Sequence, residues 1–191
     1  MRRVFSIVGA VGLAVLLAAC SSAPRDVSKN DIDLLAVEIK NLGPEVDPQE
    51  AEQAARIAYT YSLHLAEEYN VTDGPIVHNA KVNNGWRDRG LCVHWAEDIQ
   101  ARLNEENFKT LVVHRAIAEG NEFRIDHSSA VLSMRGDNME DGIVLDPWRK
   151  GGLLYWSLIP EDDKYYWEPQ QRVLERKYQA KLEFEANPLG N

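Results

Sequence analysis

The chain has 191 residues, of which 45% are hydrophobic and 27% are charged, a composition typical of a globular protein with a buried core. Its formal net charge is −9. Nucleic acids attract clustered lysines and arginines, so this acidic balance argues against a nucleic-acid partner.

The first twenty residues indicate the cellular compartment. Arg2 and Arg3 precede an apolar run over 4–14, and small residues then lead to Cys20. This pattern is typical of a secretory signal and is too short for a stable membrane span. It also resembles the lipobox of bacterial lipoproteins, which implies cleavage before Cys20 and diacylation of its thiol. An ordinary signal peptide with a chance cysteine is the alternative.

The lipobox resemblance also implies a location. Ser21, rather than an aspartate, follows the lipidated cysteine. By the sorting rule of that family, the protein would sit in the bacterial cell envelope, anchored by lipid to the outer membrane and facing the periplasm. We therefore predict three regions: a signal peptide over 1–19, a lipidated tether over 20–30, and a single domain over 31–191 with its core at about 71–158 and a C-terminal helix at about 165–184.

Two helices are predicted at the start of this domain. The first spans about 31–42. The second begins after Asp47, a good N-cap residue, and runs to about Tyr69, with Pro48 at its first position and Glu50 completing a capping-box pattern.

An irregular loop is predicted over 71–89, because the segment has few apolar residues and carries Gly-Pro and Asn-Asn-Gly. Long loops ahead of a nucleophile often contact substrate. Trp86 and Asn84 are the candidate substrate-binding residues. A tryptophan that only pins the loop to the core is an equally good interpretation of Trp86.

A central helix is predicted from about Cys92 to Asn107. Its apolar residues recur at the spacing of one buried stripe, namely Cys92, Trp95, Ala96, Ile99 and Leu103. Cys92 begins this inward face at the positive end of the helix dipole, which favours a thiolate. His94 points to the other side of the helix and receives no catalytic role.

Strand-like runs follow at hairpin spacing, which predicts a small antiparallel sheet. The first, 109–118, is expected in the sheet centre. The next two are 123–134, with His127 near its start, and 143–146, which ends on Asp146; residues 153–158 could add a fourth. The predicted fold class is α+β, with the central helix packed on the sheet and a charged C-terminal helix docking through Val173, Leu174, Tyr178 and Leu182.

Cysteine, histidine and aspartate thus occur in an order that can form a nucleophile with an oriented base. If Cys20 is lipidated, Cys92 is the one free thiol of the mature chain. A nucleophile and a buried hydrophobic thiol explain it about equally well on composition alone. His127 and Asp146 on adjacent antiparallel strands could lie side by side and complete the site.

The Gly-x-Cys helix start at Cys92, the strand-opening His127 and the Leu-Asp-Pro-Trp ending around Asp146 resemble the transglutaminase-like superfamily. That family has a papain-like fold and includes transglutaminases and bacterial transglutaminase-like cysteine proteinases. The resemblance covers about 71–158. It implies that Cys92 is the nucleophile, His127 the general base and Asp146 its orienting acid.

The expected chemistry is acyl transfer through a thioester, with water giving hydrolysis and an amine giving transamidation. Expected partners are a peptide or protein substrate, including peptidoglycan peptides, and a membrane; no cofactor is expected.

Two alternative functions stay open. One is a binding or assembly lipoprotein that has the fold without turnover. The other is a zinc protein, although no His-Glu-x-x-His or paired Cys-x-x-Cys motif is present. His64 and His114 are interpreted as core or surface residues, and His78 as a solvated residue of the loop before Cys92, where contact with substrate is the alternative.

Overall fold

The computed structural model describes residues 27–121 and 125–187, which form five helices and a five-stranded antiparallel sheet. The α+β fold class predicted from the sequence is confirmed. The predicted signal peptide 1–19 and Cys20 lie outside the described residues. No helix within the described ranges is both long and apolar enough to cross a bilayer.

The elements are α1 Lys29–Asn41, α2 Pro48–Glu68, α3 Pro75–Asn83, α4 Cys92–Asn104, β1 Leu111–Ala118, β2 His127–Met134, β3 Ile143–Asp146, β4 Tyr155–Leu158, β5 Glu168–Pro169 and α5 Gln170–Ala186.

The sheet has the strand order β4-β3-β2-β1-β5, so β2 is its central strand. The expectation that β1 lies in the centre was wrong, because the two-residue strand β5 is its outer neighbour. Every residue of β2 except the last is buried. Its apolar side chains alternate between a large core shared with the helices and a smaller cluster around Trp167. His127, the first residue of β2, therefore stands on a strand that is covered on both faces.

Helix α2 begins and ends as predicted, with Asp47 as N-cap and Tyr69 as C-cap. The predicted role of Glu50 was wrong, however. Its carboxylate accepts from the backbone N–H groups of Lys109 and Thr110 at 2.7 and 2.8 Å instead of closing a capping box. Burial opposes ionisation of Glu50, but these hydrogen bonds outweigh it and hold the pKa below its usual value. This contact ties the start of α2 to the segment that enters β1.

Helix α1 begins at Lys29, capped by Ser28, and so starts inside the range 20–30 that was expected to be tether. Helix α4 buries the stripe that the sequence predicted and ends at Asn104, three residues before the expected end. Because α4 packs against β2 and β1, its first residue is brought to the end of the sheet where β2 begins.

The segment between α2 and α4 is the main departure from the predicted organisation. Residues 71–89 were expected to be a loop, yet Pro75–Asn83 form helix α3, with Gly74 as N-cap and Pro75 at the first position. The buried residues of this helix are His78 and Asn79, which are polar. Its inward face therefore carried no apolar periodicity from which a helix could be predicted.

Helix α5 packs less than expected. Val173 is buried, but the side chains of Leu174, Tyr178 and Leu182 are each at least 40% exposed. The predicted docking is therefore confirmed for Val173 and wrong for Leu174, Tyr178 and Leu182. Exposed ion pairs hold the helix in addition, since Arg176 contacts Glu119 and Glu168.

Candidate active site

Cys92 is the first residue of α4 and the one free cysteine in the described part of the chain. Its residue surface is 8% exposed. The Sγ atom lies 3.8 Å from the backbone carbonyl oxygen of Asp126, to which the thiol can donate. Cys92 is therefore within contact of the residue that immediately precedes His127.

His127 and Asp146 are brought together by the pairing of β2 with β3. Ala130 pairs with Leu145, which places Asp146 opposite Ser129 and diagonal to His127. The Nε2 atom of His127 donates to Oδ2 of Asp146 at 2.6 Å, and both side chains are at most 2% exposed. The three side chains predicted as a nucleophile, base and orienting acid thus lie in one place.

The other ring nitrogen of His127, Nδ1, is buried. It forms no hydrogen bond of ordinary length and angle with any described residue. Burial alone would lower the pKa of His127. The hydrogen bonds and negative charges of Asp146 and Cys92 overcome this effect and raise the pKa to about 9. The imidazole is therefore protonated at neutral pH, beside the side chain of Cys92.

The raised pKa of His127 links the pairing to stability. An unfolded histidine titrates near about 6.5. The stabilisation from the charged ring is therefore fully present below that pH and is lost as the pH rises through about 9.

Three aromatic rings enclose the imidazole of His127. The ring centroids of Trp148, Tyr165 and Trp167 lie 4.7, 4.5 and 5.3 Å from that of His127, all tilted by 43–48°. Contact with three aromatic rings fixes the orientation of the imidazole. A base that acts on a neighbouring thiol requires such a fixed orientation. Two of these rings, Tyr165 and Trp167, come from the segment between β4 and β5.

Asp146 has a second partner that the sequence did not reveal. The Arg149 guanidinium lies 3.0 Å from Asp146 and 2.7 Å from Asp162, and all three side chains are at most 8% exposed. Asp162 also accepts from the indole N–H of Trp167 at 2.8 Å. Arg149 therefore compensates two buried carboxylates, one of which orients the histidine.

Side chains from α3 and α4 hold the turn that precedes Cys92. The Nε2 atom of His78 donates to the carbonyl of Arg89 at 3.0 Å, and Nδ1 of His94 accepts from the backbone N–H of Gly90 at 3.1 Å. His78 is 1% exposed, so its expected place in a solvated loop was wrong. His94, which had no assigned role, caps α4. Burial lowers the pKa of His94, which keeps the ring neutral and able to accept.

Gly90 allows this turn to form. Its φ is +120°, and a Cβ atom at this position would lie 2.2 Å from Nε2 of His78. We expect Gly90→Ala to destabilise the fold by about 1–3 kcal/mol, from backbone strain and overlap with His78, and to slow reaction at Cys92 by displacing α4. Urea unfolding and thiol alkylation measure the two effects.

Gly85→Ala is the matched control, because Gly85 also has a positive φ of +73° but has open space around its Cβ position. It should cost only the strain and leave alkylation unchanged. Equal effects of both variants on alkylation would show that the contact with His78 does not position Cys92.

Two adjoining clefts open at the candidate site. The first, about 400 Å³, is lined by Cys92 and His127 together with Asn79, Asn83, Ile125 and Leu174 among others. The second, about 470 Å³, shares Asn79, Asn83 and Ile125 and is otherwise lined by Ile76, Ala80, Trp148 and Tyr165. Trp86 and Asn84, the predicted substrate-binding residues, line neither cleft; Trp86 is 69% exposed beside a separate polar cleft.

The remaining histidines lie apart from these clefts. His64 is exposed beside Glu68 on α2, and Nε2 of His114 lies 2.8 Å from Oγ of Ser133. Within residues 27–121 and 125–187, no three His, Cys, Asp or Glu side chains converge in a way that could hold a metal ion.

The chain matches no protein-family model, no curated protein and no solved structure. The site is therefore interpreted from its own geometry.

Proposed function

We propose that this protein is a thiol enzyme of the bacterial cell envelope that cleaves or transfers amide bonds through Cys92, His127 and Asp146. The observation that carries the proposal is the placement of His127. One ring nitrogen is held by a buried carboxylate, the other has no regular partner, and the ring interacts with the thiol of Cys92 at a cleft. A histidine that only stabilised the core would not need this combination.

In the proposed reaction, the His127 imidazolium stabilises a thiolate on Cys92. The thiolate of Cys92 attacks the carbonyl carbon of an amide, and a tetrahedral intermediate forms. The imidazolium of His127 then donates its proton to the leaving amine nitrogen, the C–N bond breaks and a thioester remains. Water or a second amine next attacks the thioester carbonyl, and His127 accepts the proton of the attacking group. The C–S bond then breaks, which releases the product and restores the Cys92 thiolate beside the His127 imidazolium.

The order Cys92, His127, Asp146 on a helix and two antiparallel strands supports a papain-like core of the transglutaminase-like type. We further propose that diacylated Cys20 anchors the domain to the outer membrane, where envelope proteins and peptidoglycan peptides are within reach. This part rests on the residues around Cys20.

Acyl capture on Cys92 tests the proposal. The full-length protein in detergent is treated with a p-nitrophenyl ester of an N-acetylated amino acid, and its mass is followed. We expect the mass to rise by one acyl group on Cys92, together with release of p-nitrophenol, because an activated ester needs no proton transfer to its leaving group. Cys92→Ser should abolish both signals.

The opposite result identifies the alternative function. If Cys92 is not acylated while the protein unfolds cooperatively and Cys92 reacts slowly with iodoacetamide, the thiol is a buried structural residue. The chain is then a non-catalytic binding or assembly lipoprotein.

A further inference from the structure

Asn79, on α3, is a polar residue that lines the cleft and that the proposed reaction does not yet use. It is 8% exposed and lines both the cleft with Cys92 and His127 and the adjoining apolar cleft. A carboxamide that is nine-tenths buried beside a nucleophile is costly unless its polar atoms have partners.

The orientation of the Asn79 carboxamide is fixed by Trp148. The indole Nε1–H of Trp148 lies 3.0 Å from Oδ1 of Asn79. An indole nitrogen can only donate, so the atom that it contacts must be the carboxamide oxygen. Trp148 is itself 5% exposed and packs against the ring of His127, which makes the arrangement rigid.

The amide nitrogen of Asn79 is therefore the atom left to bind a ligand. Nδ2 donates to no described residue. It is not sealed inside the protein, in contrast to Nδ1 of the neighbouring His78, which is buried without a partner. Since Asn79 is almost fully buried and lines the two clefts, its accessible donor faces the space next to Cys92.

We propose that Nδ2 of Asn79 donates a hydrogen bond to the carbonyl oxygen of the acyl group that Cys92 attacks, and so stabilises the oxyanion of the tetrahedral intermediate. This inference rests on the proposed function. The backbone N–H of Cys92, at the start of α4, is the companion donor. As the thiolate adds to the carbonyl carbon, the C=O electron pair moves onto oxygen, and the two N–H groups bind that charge until the C–N or C–O bond breaks.

The test compares two reactions of Cys92. Acylation by the p-nitrophenyl ester passes through an oxyanion, whereas alkylation by iodoacetamide displaces iodide and forms none. We expect Asn79→Ala to slow acylation by about 10²-fold and to leave alkylation near the wild-type rate. Asn79→Asp keeps an acceptor for Trp148 and removes the donor, so its ratio of acylation to alkylation rate should fall similarly.

Val77→Ala is the matched control, because Val77 lies on the same helix but is 53% exposed and lines neither cleft. It should leave both rates unchanged. If wild type is acylated and the Asn79 variants are acylated at its rate, the role of Asn79 is wrong and the proposed function stands. Parallel losses of acylation and alkylation would make Asn79 purely structural. If wild type is not acylated, both proposals fall, since no oxyanion forms.

Discussion

Replacing His127 with alanine is expected to slow the reaction of Cys92 with an amide substrate, such as a peptide p-nitroanilide, by about 10²–10⁴-fold. The variant loses both the charge that stabilises the thiolate and the proton donor for the leaving amine. The wild-type rate should fall as the pH rises through about 9, because the imidazolium is then lost. Release of p-nitroaniline against pH measures both effects.

His64→Ala is the control for this experiment, since His64 is exposed on α2 and lines neither cleft. It should retain the wild-type rate and pH profile. A p-nitroanilide activity that survives in His127→Ala would contradict the assignment of His127 as base, whatever the role of Cys92.

Replacing Arg149 with methionine is expected to give the largest loss of stability, about 3–5 kcal/mol. The substitution keeps much of the side-chain volume but leaves Asp162 without its cation and Asp146 with His127 alone, and both carboxylates are at most 1% exposed. Burial would by itself raise the pKa of Asp162, yet its partners, Arg149 first, hold it below the ordinary value. Urea unfolding at neutral pH measures the loss.

The sign of the pH dependence gives a second readout for this variant. In wild type, the lowered pKa of Asp162 contributes stability that is present above the unfolded pKa and is lost as the pH falls. In Arg149→Met the unpaired carboxylate of Asp162 gains from protonation, so the deficit should shrink towards acidic pH. Arg172→Met, which removes an exposed ion pair with Glu140, should cost less than about 1 kcal/mol. Equal losses of unfolding free energy in the two variants would show that the buried ion pairs contribute no more stability than an exposed one.

The proximity of Cys92, His127 and Asp146 could be predicted because each residue is tied to a periodic pattern. Cys92 begins a stripe with helical spacing, and His127 and Asp146 lie on apolar runs at hairpin distance. The spacing therefore carried the information needed to place the three side chains on elements that meet.

Residues whose position depends on tertiary contacts could not be predicted. Asn79 and His78 form the buried face of a nine-residue helix without an apolar stripe, so neither its helical state nor its direction was visible. Arg149 follows a tryptophan on a turn and is a charged residue that becomes buried only because two carboxylates meet it. Glu50 matched a local capping motif but bonds across the fold. The sequence pattern reports the periodicity of an element, not the partner of a polar group.

The aromatic enclosure of His127 has a spectroscopic consequence. The carbon-bound protons of its ring lie within the ring currents of Trp148, Tyr165 and Trp167. Magnetic anisotropy should therefore displace the His127 resonances from those of an exposed histidine. The charge state of the proposed base can then be followed by NMR titration in the resting protein, without any substrate.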